Sequence, residues 1–468
     1  MKEVQFIGRL VILGCGVIGQ GVLPLIFRHM DIRASQVTII TADGRGADVA
    51  AHYQVPFVVN PITPANYQTI LDAALGRGDF LLNLSSDFAS NLLLDYCAAH
   101  GILYLDTCIE SRHGESTDAT LSISRRSLYA LREQAIALRK KWGVATTAVL
   151  AHGANPGIVS HLVKRALLNM AHDEGRTIAT PTTRLAWAQL SRSLGIKVIH
   201  IAERDTQIPM TRKTVGEFVN TWSIDGLVGE GLQPAELGWG SHEKSLPDDG
   251  KRHDFGDQAA IFLNRPGASV RVRTWLPLAG PQIGFLITHN ESISLASYLT
   301  IGTGENPEYR PTVHYVYRPC DDALLSMQEF QERNWVLQET QRAITDEIVS
   351  GADELGVLLI GGKRGNYWFG SRLDIHQARK LAPFNSATSL QVASGVVAGM
   401  IWAIRHPNSG IVEAEEMDFD EVLTIAEPYW GTLVGEYSQW NPVDGRNTLF
   451  PEDIDADDPW QFKNFRVL

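Results

Sequence analysis

Apolar residues along the first third of the chain fall into short continuous runs separated by stretches of helical period. Leu10-Val11-Ile12-Leu13 is such a run, and residues 20–30 after it read as a helix. Val37-Thr38-Ile39-Ile40-Thr41, Pro56-Phe57-Val58-Val59, Phe80-Leu81-Leu82-Asn83-Leu84 and Ile102-Leu103-Tyr104-Leu105-Asp106 repeat the pattern. Helical periods over residues 64–75, 90–100 and 125–142 separate or follow them, and Ala148-Val149-Leu150 adds a last strand. Continuous apolar strands alternating with helices predict an α/β fold: a Rossmann-type doubly wound parallel sheet covered on both faces.

Beyond about residue 180 the rhythm changes. Strands rich in Val, Ile, Thr and aromatics are expected over 197–203, 269–278 and 283–289, with a long helix over 323–350. Residues 355–360 and 367–369 flank Gly361-Gly362-Lys363-Arg364-Gly365 and predict a hairpin. That turn does not satisfy the Gly-x-x-x-x-Gly-Lys-Ser/Thr phosphate loop. This middle region reads as a mixed α+β substrate and dimerisation domain. Asn385-Ser386-Ala387-Thr388-Ser389-Leu390-Gln391 opens an apolar helix that returns to the first domain. The acidic, aromatic tail after it is expected to wrap the surface.

The first strand runs into Gly14-Cys15-Gly16-Val17-Ile18-Gly19 and then a helix. In this strand–turn–helix setting a Gly-x-Gly-x-x-Gly turn points to a dinucleotide. Gly14 serves the turn, Gly16 the approach of a pyrophosphate, and Gly19 close packing of helix on strand. The helix start offers free N–H groups and partial positive charge, extending the contact to Val17 and Ile18. Thr41 and Asp43 close the second strand, where a ribose acceptor belongs; Asp43 is equally good turn chemistry. Arg45 keeps a 2′-phosphate open, so NAD over NADP is a preference. The predicted division is 1–153 for the NAD-binding domain, 154–383 for the substrate domain, 384–405 for the returning helix and 406–468 for the tail.

The chain has 468 residues, 44% hydrophobic and 20% charged, as in an ordinary globular protein. A formal net charge of −12 disfavours nucleic acid as a partner and suits a cationic small molecule. Cys15, Cys97, Cys108 and Cys320 have no Cys-x-x-Cys pairing and no zinc spacing, so no metal is expected. No apolar run reads as a membrane span and no signal core opens the chain, which points to a cytoplasmic protein without a membrane partner.

Ligands in open α/β sheets bind beyond the carboxyl ends of strands. Polar clusters stand there: Ser85-Ser86-Asp87, Asp106-Thr107-Cys108-Ile109-Glu110 and His152-Gly153-Ala154-Asn155-Pro156-Gly157. Asn155 and Pro156 also suit a helix cap and first helical position. In the second region Glu203, Glu230, Trp222 and His289 stand out, His289 as the end of a strand. An ammonium on a Trp face gains about 0.5–2 kcal/mol. A carboxylate about 4 Å away adds roughly 4 kcal/mol at an effective dielectric near 20, before desolvation. Such a pocket selects diamines.

Over essentially its whole length the chain resembles the bacterial homospermidine synthases, relatives of the saccharopine dehydrogenases. The resemblance rests on the glycine turn with its continuation Gln20-Gly21-Val22-Leu23-Pro24-Leu25-Ile26, on Ala151-His152-Gly153-Ala154-Asn155-Pro156-Gly157, and on Asn385 to Val392. The closing Asp458-Pro459-Trp460-Gln461-Phe462-Lys463-Asn464-Phe465 carries it further. It implies NAD as a temporary hydride store and transfer of an aminobutyl group from one putrescine to another through imine and Schiff-base stages. It also implies 1,3-diaminopropane and spermidine as further amines, and a homodimer. Residue by residue it assigns Asp87, Glu110, Asn155, Glu203 and His289 to catalysis and Trp222 and Glu230 to substrate binding. Ser85, Thr107, Asn155 and Pro156 join the glycine turn, Thr41 and Asp43 in holding the cofactor. Two departures are Cys15 within the turn and the late acid at Asp43.

Two rival readings remain. A saccharopine-dehydrogenase-type reductase acting on a carboxylated amine needs an arginine in the pocket, for which Arg204 is the candidate. A non-catalytic NAD-binding regulatory protein needs none of the pocket acids.

Overall fold

The computed structural model describes residues 2–86 and 88–467. Its first unit runs β1 (Leu10–Leu13), α1 (Val17–His29), β2 (Val37–Thr41), β3 (Phe57–Val59), β4 (Phe80–Asn83), α2 (Ser90–His100), β5 (Leu103–Asp106), α3 (Leu128–Trp142) and β6 (Ala148–Leu150). All of β1, β4, β5 and β6 is buried, because helices cover both faces of the sheet. Residues 123–126 form a separate single turn, so the helix expected from 125 begins at Leu128. There Ser127 caps it and Glu236 accepts from the N–H groups of Leu128 and Tyr129 at 2.7 and 3.2 Å. An acid from the second unit thus satisfies the positive end of a helix in the first.

α4 (Ile158–Asp173) leads into the second unit: β7 (Val198–Asp205), α5 (Ile224–Leu232), β8 (Pro234–Gly238), α6 (Asn290–Tyr298), β9 (Thr312–Arg318), β10 (Ala352–Ile360) and β11 (Asn366–Asp374). There follow α7 (Ala387–Arg405), β12 (Ile411–Glu413), α8 (Phe419–Ala426) and β13 (Thr432–Ser438). The first sheet has the order β12-β6-β5-β4-β1-β2-β3 with every pairing parallel. The larger second sheet carries β8-β9-β7-β10-β11-β13 along its path. β10 and β11 form the expected hairpin.

Four expectations are corrected. The long helix over 323–350 is Asp321–Glu332 only. Asn334 and Trp335 adopt φ values of 54° and 67° and end it, and residues 340–343 then pair with 217–220 as a strand. The strand expected to end at His289 ends at Phe285, and His289 instead precedes α6. The tail does not merely wrap the surface: β12 extends the parallel sheet, β13 edges the second sheet, and Phe462 and Phe465 are fully buried. Arg132 of α3 anchors β12 through a two-bond pair with Glu413, at 2.6 and 2.8 Å. Finally, α7 is long and apolar enough to cross a membrane, with mean hydropathy 1.5, contrary to the reading that no run qualifies. Because 89% of that stretch is buried against protein, it is a core helix packed on α1 and β5. Ser386 and Ser389 cap it reciprocally, and Asn385 Nδ2 donates to the Gly21 carbonyl on α1 at 3.1 Å.

Candidate active site

The strand order reverses between β1 and β4, and the glycine turn stands at that switch point. Gly14 has φ +89°, and a Cβ there would lie 2.7 Å from the Leu84 carbonyl oxygen, so the position admits only glycine. Gly19 is equally tight against the Gly14 carbonyl, whereas a Cβ on Gly16 would meet nothing within 4 Å. Helix α1 starts at Val17 with no side-chain cap and no acid in its first turn. Open space beside uncapped N–H groups at a helix start suits a dinucleotide pyrophosphate. At the end of β2, Thr41 is buried, and Asp43 accepts from the backbone N–H and Nε of Arg45 at 2.9 and 2.8 Å.

Beyond the carboxyl ends of β4, β5 and β6 lies a cavity of about 120 Å³, roofed by the second unit. Ile18, Ser85, Thr107 and Pro156 line its first-unit side, with Glu110 and Asn155. Glu203, Trp222, Glu230, His289 and Tyr315 line the other. One cavity therefore gathers Glu110, Asn155, Glu203, Trp222, Glu230 and His289 from five separated stretches of sequence. Asp87 lies outside the described residues. Among the described residues the lining holds three carboxylates and no Lys or Arg. Arg204 is not among them; on an extended strand its side chain alternates with that of Glu203 to the opposite face.

Glu203 is 2% exposed, and its Oε2 accepts from Asn155 Nδ2 at 2.8 Å and from the Tyr315 hydroxyl at 2.5 Å. Burial pushes its carboxyl up to about 7 against those two hydrogen bonds, and Asp205 adds to the rise. Asp205 shares the face of Glu203 two residues on, and Asp353 faces Asp205 across the β7–β10 pairing. Asp205 accepts from Thr221 and the Gln207 N–H, and Asp353 accepts from Thr388 at 2.5 Å. Burial raises both carboxyls as well, Asp205 to about 6. Carboxyls that ordinarily ionise near pH 4 are thus all shifted upward by burial, and Glu203 titrates near neutrality.

Asn155 does not cap α4; that position belongs to Gly157, at φ 123°. The turn from Gly153 to Gly157 frees the Asn155 amide to reach Glu203. Trp222 Nε1 donates to the Tyr317 hydroxyl at 3.1 Å, and its ring lies over Gly226 of α5, where a Cβ would approach within 2.8 Å. His289 sits between Glu230 and Glu291, each 3.2 Å from a ring nitrogen. Burial alone would lower its pKa, but the two carboxylates reverse this and hold it at about 10.

Sequence reasoning missed Tyr315, Glu291, Asp205, Asp353 and Thr388. Alternation along β7 carries a signal for Asp205, whereas Asp353 and Tyr315 arrive through strand pairings that no local pattern encodes.

A parallel sheet with a glycine turn at its switch point, facing an acid-lined cavity roofed by a second sheet, defines a two-domain protein of the saccharopine dehydrogenase class. Residues 10–150 match the saccharopine dehydrogenase NADP binding domain and residues 153–438 the saccharopine dehydrogenase C-terminal domain. A homospermidine synthase from Blastochloris viridis is 48% identical over 470 residues, spanning 98% of this chain and 97% of that protein. One from Mesorhizobium japonicum is 44% identical, spanning 99% and 97%. The crystal structure of homospermidine synthase from Legionella pneumophila in complex with NAD superposes with a TM-score of 0.93 at 49% identity, covering 100% of this chain and 99% of that one. The chain belongs to the homospermidine synthase family.

Proposed function

We propose that the protein converts two molecules of putrescine into homospermidine and ammonia, an aminobutyl transfer with no net redox change, using NAD. The observation that carries this reading is the cavity lining of Glu110, Glu203 and Glu230 with Trp222 and, among the described residues, without Lys or Arg. Such a lining favours a cationic alkyl amine; its one imidazole, His289, already stands between Glu230 and Glu291, so a substrate carboxylate finds no free counter-charge, which disfavours the reductase reading.

NAD would be held by Gly14, Gly16, Val17, Ile18 and Gly19 at its pyrophosphate. Thr41 and Asp43 would serve its ribose, and Ser85, Thr107, Asn155 and Pro156 its reacting end. When bound, it supplies a temporary store for one hydride. The chain's own residues manage protons. An alkylammonium has no lone pair, so its nitrogen must lose a proton before an imine or Schiff base forms. Glu203, raised by burial to about 7, is poised to take and return that proton, with Asn155 and Tyr315 fixing its orientation. Glu110, Asp87 and Glu230 hold the amine ends, His289 supports Glu230, and Trp222 offers its face to an ammonium. 1,3-Diaminopropane and spermidine, as alkyl amines of the same kind, are proposed as further acceptors or donors.

We further place the protein in the cytoplasm as a homodimer, with small diamines and no nucleic acid or membrane as partners; four free thiols support a reducing compartment and a formal net charge of −12 disfavours nucleic acid. Incubation with putrescine and NAD, followed by mass spectrometry and absorbance of reduced cofactor, tests the reading. Homospermidine without accumulated NADH supports it. NADH accumulating in step with substrate loss returns the simple dehydrogenase, and no chemistry at all returns the regulatory protein.

A further inference from the structure

Behind His289, on the side away from Glu230, stands a carboxylate that the proposed reaction does not itself employ. Glu291 opens α6, is 1% exposed, and its Oε1 lies 3.2 Å from His289 Nδ1. Its second oxygen is buried without a hydrogen-bond partner. A buried carboxylate so sparsely satisfied is costly unless a cation faces it. Its place in the first helical turn favours the negative charge, and the imidazole is the group positioned to answer it.

The imidazole is hydrogen-bonded to Glu291 through Nδ1 and in ion-pair contact with Glu230 through Nε2, and it answers both carboxylates only when doubly protonated. The groups facing it are Glu230 from α5, Glu291 from α6, and Tyr315 from β9, whose ring lies 4.2 Å from the imidazole at 33°. Tyr315 in turn holds Glu203. Since Lys and Arg are absent from the described lining, the ring is the one group of that lining able to carry a positive charge.

We propose that Glu291 is a positioning residue that keeps His289 doubly protonated and held beside Glu230, so that a diamine meets a fixed ion pair rather than a bare carboxylate. This rests on the amine-binding reading of the cavity. Its consequence is division of labour: His289 does not act as a base, which leaves proton uptake to Glu203.

The test is the ¹⁵N spectrum of the His289 ring, assigned with H289Q, in wild-type protein and E291Q at about pH 8, above the ordinary imidazole range. Wild type should show an imidazolium and E291Q a neutral ring. In parallel, E291Q should raise KM for putrescine about tenfold, the factor one unit of pKa carries, with a smaller fall in kcat and an alkaline limb moved to lower pH. E291D should restore much of each. A ring that stays doubly protonated in E291Q overturns the proposal. So does a neutral ring in the wild type, which decides the matter even if E291Q does not fold. The spectra require no turnover. Failure of wild-type protein to make homospermidine would therefore count against the function while this test still reads out.

Discussion

Asn155, on the turn that follows β6, and Glu203, on β7, are joined by one hydrogen bond, Nδ2 to Oε2 at 2.8 Å, in the lining of the acid-lined cavity. The bond fixes the carboxylate relative to the glycine turn although the residues stand far apart in sequence. Glu203→Gln keeps the shape and removes the base. It should lower turnover by about 10²–10⁴-fold, the usual worth of a positioned proton acceptor, and leave NAD affinity unchanged. Steady-state kinetics beside a cofactor titration measures both; unaltered turnover would remove Glu203 from its role.

Binding of a diamine should release protons. Glu203 is half-protonated near pH 7, and an ammonium placed beside it favours the carboxylate. Below about pH 7 the proton must leave first, so affinity should rise as pH increases toward that value and level off above it. An aliphatic ammonium stays charged throughout this window, with a pKa of about 10. Calorimetry in buffers of different ionisation enthalpy reads the released protons; pH-independent binding without release would contradict the assignment.

Trp222 should contribute as a ring face rather than as bulk. Trp222→Ala should raise KM about 2–30-fold, the range corresponding to a cation–π contact of about 0.5–2 kcal/mol, with Trp222→Phe less affected. Gly226→Ala gives an orthogonal check. Its methyl group would press on the Trp222 ring at 2.8 Å, while alanine favours the helix by about 1 kcal/mol. Diamine kinetics should suffer in this variant without a fall in melting temperature.

Arg132 and Glu413, 3% and 7% exposed, pin the chain's returning strand into the parallel sheet. Arg132→Met strands a buried carboxylate and should cost about 3–5 kcal/mol. Replacing Glu413 by Leu as well should recover much of that loss. Urea denaturation of the single and double variants measures it.

Much of the first domain was legible because its strands are buried on both faces and therefore run continuously apolar, as at Leu10–Leu13 and at Phe80, Leu81 and Leu82. The glycine turn was legible because backbone sterics at Gly14 leave little choice of residue. The second domain was harder. The run over 323–350 carries helical periodicity, yet two left-handed residues and a distant partner strand divert it. The tail's acids and tryptophans suggested solvent, but β12 and β13 find partners elsewhere in the fold. Glu203 and Trp222 drew attention individually. Asp353, Tyr315 and Glu291 required strand register and helix placement that only the folded chain supplies.

The central claim is that an anionic cavity holds an alkyl diamine while one hydride leaves the amine-bearing carbon and returns to it. Putrescine fully deuterated at both amine-bearing carbons, supplied with unlabelled NAD, tests it most directly. The account predicts homospermidine retaining every deuterium of both putrescine molecules, ammonia in equal amount, and no build-up of reduced cofactor. Labelled NADH accumulating beside a product left at the imine or aldehyde level, homospermidine short of one deuterium per transfer, or no homospermidine at all, would contradict it.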